Sequence, residues 1–216
     1  MHSPGEARPV GPRLTVGRAT LVVLAVLVLS TTWWLPTLGT ALAVDEPLQP
    51  ADVALVLEGT GASAVDVAES WRRQGLAREV VIVEAPVKTH ALVAYWSDFV
   101  QRGLAEPSPT PANDLHVVRA ASTQAGQQAR AALPALLADG SRTVLVLGGG
   151  GIGSRLVERE LVAVFGPAGV QARMVAYGDA RRDPARWFQN ADDRRAVLDS
   201  WLQLMVPFLS GYETGT

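Results

Sequence analysis

The sequence predicts an α/β fold: a three-layer, Rossmann-like domain with a mostly parallel sheet of about five strands, preceded by one N-terminal transmembrane helix. Residues 19–44 contain no charged side chain. Behind them, short apolar runs alternate with segments of helical spacing, which is typical of parallel strands covered by helices on both faces. The 216 residues are 48% hydrophobic and 19% charged, which suits one buried core with an appendage.

The uncharged segment of residues 19–44 is long enough to cross roughly 30 Å of hydrocarbon at about 1.5 Å per helical residue. Three arginines precede it and two acidic residues follow it. The positive-inside rule therefore predicts a single-pass anchor in the cell membrane. Residues 1–18 would form a cytoplasmic tail, and the chain from residue 45 onward would be extracytoplasmic.

A cleaved secretory signal is the alternative for the same segment. Residues 41–43 read Ala-Leu-Ala, which has the small-x-small form of a cleavage site after Ala43. The apolar centre at residues 21–29 ends well before that site, whereas a signal peptide normally places the two close together. This spacing favours the retained anchor, and either outcome exports the rest of the chain.

The exported part is predicted to consist of a tether, one domain and a short tail. Two prolines and two acids make residues 45–50 a stiff linker, the domain covers residues 51–209, and residues 210–216 form the tail. The predicted strands are residues 51–57, 80–83, 115–118, 143–147 and 170–177. The predicted helices are at about residues 62–74, 90–102, 154–165 and 191–209, with a further Ala/Gln-rich helix behind Thr123 that Pro134 would kink or split.

Ligands of open parallel sheets bind beyond the carboxyl ends of the strands, so the strand-to-helix loops carry the candidate ligand-binding residues. The most suggestive loop holds four consecutive glycines, with Gly148, Gly150 and Gly153 spaced as G-x-G-x-x-G. Backbone N–H groups, the following helix dipole and Arg155 would favour an anion there. A structural turn without a ligand and a dinucleotide site are the alternatives. The predicted binding residues of this loop are Gly148, Gly149, Gly150, Gly151 and Arg155.

Two further loops hold candidate residues. Gly59, Thr60 and Gly61 follow the first strand, and Ser122 and Thr123 precede a helix, where their hydroxyls would contact a ligand or cap the helix.

Glu58 and Glu84 each end an apolar strand and are expected on one rim of the sheet. Paired carboxylates carry out general acid–base catalysis, so these two glutamates are the candidate catalytic residues. Two solvated loop acids are the alternative interpretation.

Composition excludes several functions. A net charge of −2 argues against nucleic-acid binding. The chain has no cysteine and three histidines without ligand spacing, so no metal site and no cofactor are predicted.

The segments ADVALVL (51–57) and AESWRRQGLA (68–77), followed by the strand at 80–83, resemble the SanA/ElyC/YdcF-type family of bacterial envelope proteins, also called domain of unknown function 218. The resemblance extends over about residues 51–205 and implies an exported Rossmann-like domain with a role in the cell envelope. Arg155 matches a family position, whereas Glu84-Ala85-Pro86 and Arg119 depart from the family's ligand residues. The resemblance thus implies a divergent member with an incomplete ligand set.

The predicted function is a membrane-anchored, exported, YdcF-like domain that acts in the cell envelope and binds a small anionic or phosphorylated envelope metabolite. One alternative is a hydrolase or transferase that uses Glu58 and Glu84. Another is a non-catalytic interaction module for envelope assembly.

Overall fold

The computed structural model describes residues 13–60, 62–88, 93–94, 116–177 and 183–209. Its main sheet has five strands, all parallel, in the order β5-β2-β1-β6-β7. The strands are β1 (Ala51–Val56), β2 (Ala77–Glu84), β5 (His116–Arg119), β6 (Thr143–Gly149) and β7 (Gln171–Ala176). The predicted α/β class and parallel five-stranded sheet are therefore confirmed.

Helices cover both faces of this sheet. Helix α2 (Ala62–Arg73) covers one face, and α3 (Ala125–Ala138) and α4 (Ser154–Phe165) cover the other. Helices α1 (Arg13–Thr40) and α5 (Ala191–Leu209) contact the 3-10 turn at Pro184–Gln189, and a second 3-10 turn is formed by Gly166–Ala168. Alternate residues of β1 point to opposite sides, so Leu55 packs in one cluster with α3 and α4, and Ala54 packs in another with Trp71 of α2. This alternation produces the three layers.

The order of strands places a topological switch point between β1 and β6. The chain builds outward from β1 through β2 to β5, then returns to the other side of β1 with β6 and β7. Loops that leave adjacent strands in opposite directions open a crevice at such a point, and ligands of doubly wound sheets bind there.

Asp52 joins the beginnings of β1 and β6. Its carboxylate accepts hydrogen bonds from the backbone amides of Arg142 and Thr143 at 2.8 and 2.9 Å, and from the Thr143 hydroxyl at 2.9 Å. The Arg78 guanidinium lies 2.6 Å from the other oxygen. These donors, the backbone amides first, lower the pKa of Asp52 to about 2 because they stabilise its charged form.

Helix α1 is bent. Among the described residues no single helix is both long and apolar enough to cross a membrane, whereas Ala19–Thr31 and Trp33–Thr40, which meet at 48°, reach that length and composition as a pair. Pro36 lies inside the helix and has no N–H to bond the carbonyl of Thr32, four residues earlier. The break at residue 32 follows from this missing bond.

Residues 41–46, called the docking segment below, pack onto the domain. Leu42 is fully buried and Val44 is 7% exposed. Asp45 and Glu46 accept hydrogen bonds from the amides of Ala176 and Met174 on β7, at 2.9 and 3.1 Å. The end of the predicted anchor, residues 19–44, and the start of the predicted tether, residues 45–50, therefore both pack onto the domain.

The helix predicted at residues 90–102 is wrong where the structure describes it. Val87–Lys88 (β3) and Val93–Ala94 (β4) form a short antiparallel pair. Residues 89–92 and 95–102 lie outside the described residues.

Candidate ligand cavity at the switch point

A cavity of about 380 Å³ lies at the switch point between β1 and β6. The loop after β1 and the loop after β6, which are predicted to share a ligand, both contribute to its wall. The ends of α3 and α4 that face the cavity are their N-termini, where backbone N–H groups lack helical partners. Its lining includes Glu58, Gly59, Thr60, Thr123, Gln128, Gly148, Gly153, Glu160 and Gln203.

Gln128 of α3 fixes the loop after β1. Its side chain is 1% exposed; Oε1 accepts a hydrogen bond from the Glu58 amide at 2.7 Å, and Nε2 donates to the Thr123 carbonyl at 2.9 Å. Because both ends of this buried amide are hydrogen-bonded, Gln128 holds the loop after β1 at a constant distance from the loop after β5. Sequence analysis missed this residue, although a polar side chain on the apolar face of a helix was the available signal.

Two acidic residues line the cavity. Glu58 lies in the loop after β1, and Oε2 of Glu160 on α4 accepts a hydrogen bond of 2.7 Å from the amide of Gly126 at the start of α3. Among the described lining residues there is no lysine, arginine or histidine. Glu160 thus already supplies an anion to the positive end of α3, and the cavity disfavours a second one.

The four consecutive glycines at the end of β6 and the start of the following loop have different environments. Gly148 lines the cavity at φ +129°, and Gly150 has φ +76°, a conformation that side chains other than hydrogen rarely adopt. A Cβ on Gly149 would lie 2.7 Å from the Val175 carbonyl carbon and 2.8 Å from the Val44 oxygen. Gly151 meets nothing within 4 Å. Close approach of the backbone to β7 and to the docking segment therefore accounts for Gly149 and Gly150.

Carbonyl groups of the docking segment accept hydrogen bonds from backbone amides that were predicted to bind an anion. The amide of Gly150 donates to the carbonyl of Val44 at 2.6 Å, and that of Arg155 donates to Leu42 at 3.0 Å. Ser154 Oγ accepts from the Val44 amide at 2.7 Å. The N-terminus of α4 is thus partly satisfied by the chain's own carbonyl groups.

Arg155 does not line the cavity. Its guanidinium lies 3.2 Å from Glu158 and donates to the Ala41 carbonyl at 3.4 Å. Both partners direct its charge toward the docking segment, so Arg155 contributes no positive charge to the cavity lining.

Of the remaining candidate residues, some line the cavity and others do not. Thr123 lines the cavity, whereas Ser122 does not and instead accepts a hydrogen bond of 3.1 Å from the Gln124 amide, just before α3. Gly61 lies outside the described residues.

Glu58 and Glu84 end neighbouring strands. The register Val56↔Ile82 continues toward them from β1 and β2, which agrees with their expected place on one rim. Only Glu58 lines the cavity, so the cavity holds one of the two candidate catalytic carboxylates.

A second cavity, of about 440 Å³, lies between residues 45–48 and Trp71. It contains none of the predicted site residues, and it is away from the switch point. The cavity between β1 and β6 is therefore the candidate ligand site.

Comparisons with known proteins identified no relative of this chain. No protein-family model matches the chain, and no curated protein or solved structure matches it. The likeness to the SanA/ElyC/YdcF-type proteins therefore stays a prediction.

Proposed function

We propose that this protein is a single-pass membrane protein whose exported α/β domain binds a small polar ligand in the switch-point cavity and acts in the bacterial cell envelope. The observation that carries the proposal is the meeting of the two predicted loops, through Thr60 and Gly148, around one cavity of about 380 Å³. Its size is within the range of small-molecule sites.

Exposed apolar surface on α1 supports the anchor. The leucines and valines of residues 21–29 are each more than half exposed, and a contiguous apolar surface of this kind is stable in lipid rather than in water. The buried docking segment also favours a retained anchor over a cleaved signal, because cleavage after Ala43 would remove Leu42 from the core.

The charges of the cavity favour an uncharged or amine-bearing ligand. Glu58 and Glu160 bring two carboxylates to the lining, which would repel a phosphate, while their oxygens accept hydrogen bonds from hydroxyl or ammonium groups. Apolar side chains complete the wall. We therefore replace the anionic ligand of the sequence prediction with one of the class of neutral sugars or amino sugars.

A thermal-shift panel tests the ligand class with matched compounds: a hexose, the corresponding hexosamine, the hexose phosphate and inorganic phosphate. We expect the hexose or hexosamine to stabilise the protein, by about 2.7 kcal/mol at a hundredfold excess over Kd, and the phosphates to have no effect. Stabilisation by phosphates alone would restore the anionic ligand, and no stabilisation by any compound would contradict the proposed ligand class.

Two variants of α5 locate the binding. Gln203→Trp places a bulky ring at the cavity wall, whereas Leu202→Trp is its control because Leu202 is 62% exposed and lines no part of the cavity. We expect the ligand-induced shift to disappear in Q203W and to persist in L202W. Equal shifts in both variants would move the binding site elsewhere.

A further inference from the structure

Three potential metal ligands meet at the amino-terminal end of the sheet, away from the switch-point cavity. They are Glu79 on β2, His116 at the start of β5 and Asp139 directly after α3. One ligand atom from each lies within 4.8 Å of the other two. Sequence analysis predicted no metal site because these residues are far apart in the chain and have no ligand spacing.

Sheet register explains why the three side chains converge. His116 pairs with Val81, and Glu79 is two residues before Val81. The side chains of Glu79, Val81 and His116 therefore point to the same face of the sheet. That face is covered by α3, since Val81 and Leu136 share one core cluster. Helix α3 therefore ends with Asp139 beside the pair, and His116 Nδ1 lies 3.4 Å from Glu79 Oε1.

The negative charges of Glu79 and Asp139 would be stabilised by a bound cation. Asp139 is the C-cap of α3, where the negative end of the helix dipole disfavours a carboxylate, and Glu79 adds a second negative charge. Both acids and Arg78 line a cavity of about 330 Å³, but the guanidinium of Arg78 lies 2.6 Å from Asp52. His116 faces both acids with a nitrogen that can donate when protonated or bind a metal when neutral.

We propose that Glu79, His116 and Asp139 bind a divalent transition-metal ion of the Zn²⁺ type. One imidazole nitrogen and two carboxylate oxygens are ordinary zinc ligands, and in tetrahedral geometry such atoms stand about 3.3 Å apart. The pair of His116 and Glu79, at 3.4 Å, has that spacing, and Asp139 reaches it by a small side-chain movement. A water molecule completes four coordination. Mg²⁺ and Ca²⁺ prefer oxygen ligands and fit the imidazole poorly.

Such an ion would join β2, the edge strand β5 and the end of α3. It would be independent of the proposed ligand cavity, which lies at the carboxyl ends of the strands. Metal binding and ligand binding can therefore be tested separately, and the failure of one leaves the other unaffected.

Isothermal titration with ZnCl₂ tests the site in the full chain, purified in detergent without a polyhistidine tag. We expect one ion per chain for the unmodified protein, affinity at least about tenfold lower in His116→Ala and in Asp139→Asn, and unchanged affinity in the control Asp199→Asn. MgCl₂ should produce no binding heat.

Substitution with Co²⁺ gives a readout that does not depend on variants. A protein site with one nitrogen and two oxygen ligands should produce the visible absorption of four-coordinate Co²⁺, which added Zn²⁺ removes. Absence of Zn²⁺ binding, absence of the Co²⁺ spectrum, or unchanged affinity in H116A would each overturn the proposal. Circular dichroism of the variants identifies any loss of folding.

Discussion

At the residue scale, Asp52 shows how one acid connects two strands that are distant in sequence. One oxygen of its carboxylate accepts hydrogen bonds from the amides of both Arg142 and Thr143, and a quarter of its side chain is exposed. The apolar pattern of the first predicted strand does not reveal this role, because the partners come about ninety residues later. Its position at the start of a strand is the only hint in the sequence.

We predict that Asp52→Asn lowers the free energy of unfolding by about 1 to 2 kcal/mol at neutral pH. The pKa of Asp52 is lowered from 3.8 to about 2 in the folded chain. Its contribution is therefore complete above pH 3.8 and disappears as the pH falls through about 2. Urea unfolding at several pH values measures this difference.

Asp199→Asn is the control for this prediction, since Asp199 is exposed on α5. The difference between D52N and the unmodified protein should shrink toward zero at the acid end of the series. A difference that is constant from neutral pH to pH 2 would mean that the charge of Asp52 is unimportant.

Residue chemistry also explains which site predictions could succeed. Glu58 and Thr60 follow β1, and Gly148 lies at the carboxyl end of β6. Because the carboxyl ends of parallel strands meet at one edge, the approach of these residues could be predicted. The competition for the amides of Gly150 and Arg155 could not, because it comes from the carbonyls of Val44 and Leu42, more than a hundred residues earlier. Backbone carbonyls carry no sequence signal.

At the element scale, the end of α1 and the docking segment belong to the domain. The indole N–H of Trp187 donates to the Leu35 carbonyl at 2.6 Å, and that of Trp201 donates to Leu38 at 3.2 Å. A Cβ on Gly39 would lie 2.0 Å from the Pro184 oxygen, so helix and turn are in direct backbone contact. Hydropathy predicted a long apolar helix but could not separate its exposed part at residues 21–29 from the part that contacts the domain.

We predict that a chain beginning at Val44 is less stable than one beginning at Trp34. The shorter chain lacks the fully buried Leu42 and the two carbonyls that bind Trp187 and Trp201. Loss of this buried leucine and its neighbours should cost about 3 kcal/mol or more. Thermal unfolding of the two chains in the same detergent measures the difference, and equal midpoints would contradict a structural role for residues 34–43.

At the scale of the whole molecule, the parallel sheet could be predicted from the alternation of strands and helices. The strand order could not, since it depends on which side of β1 the second half of the chain returns to. Handedness and packing of the crossovers decide this order, and they involve the entire domain.

Membrane orientation is the prediction that belongs to this scale, and the absence of cysteine makes it easy to measure. We predict that Asp199→Cys reacts with a membrane-impermeant maleimide in intact cells. Ser3→Cys should react only after permeabilisation, because residues 1–18 are expected in the cytoplasm.

Both variants should run at the mass of the full chain if the anchor is retained. Reaction of Ser3→Cys in intact cells would reverse the topology, and loss of the N-terminal residues from the mature protein would show that the segment is a cleaved signal.

The buried position of Val44 has a consequence for biosynthesis. Its hydrogen-bonding partner Ser154 lies 110 residues later, and the strand that binds Glu46 comes later still. A ribosome delivers the docking segment long before these partners. Residues 41–46 therefore cannot form their native contacts until Ser154 and β7 have been synthesised, so this early part of the chain is among the last to adopt its native structure.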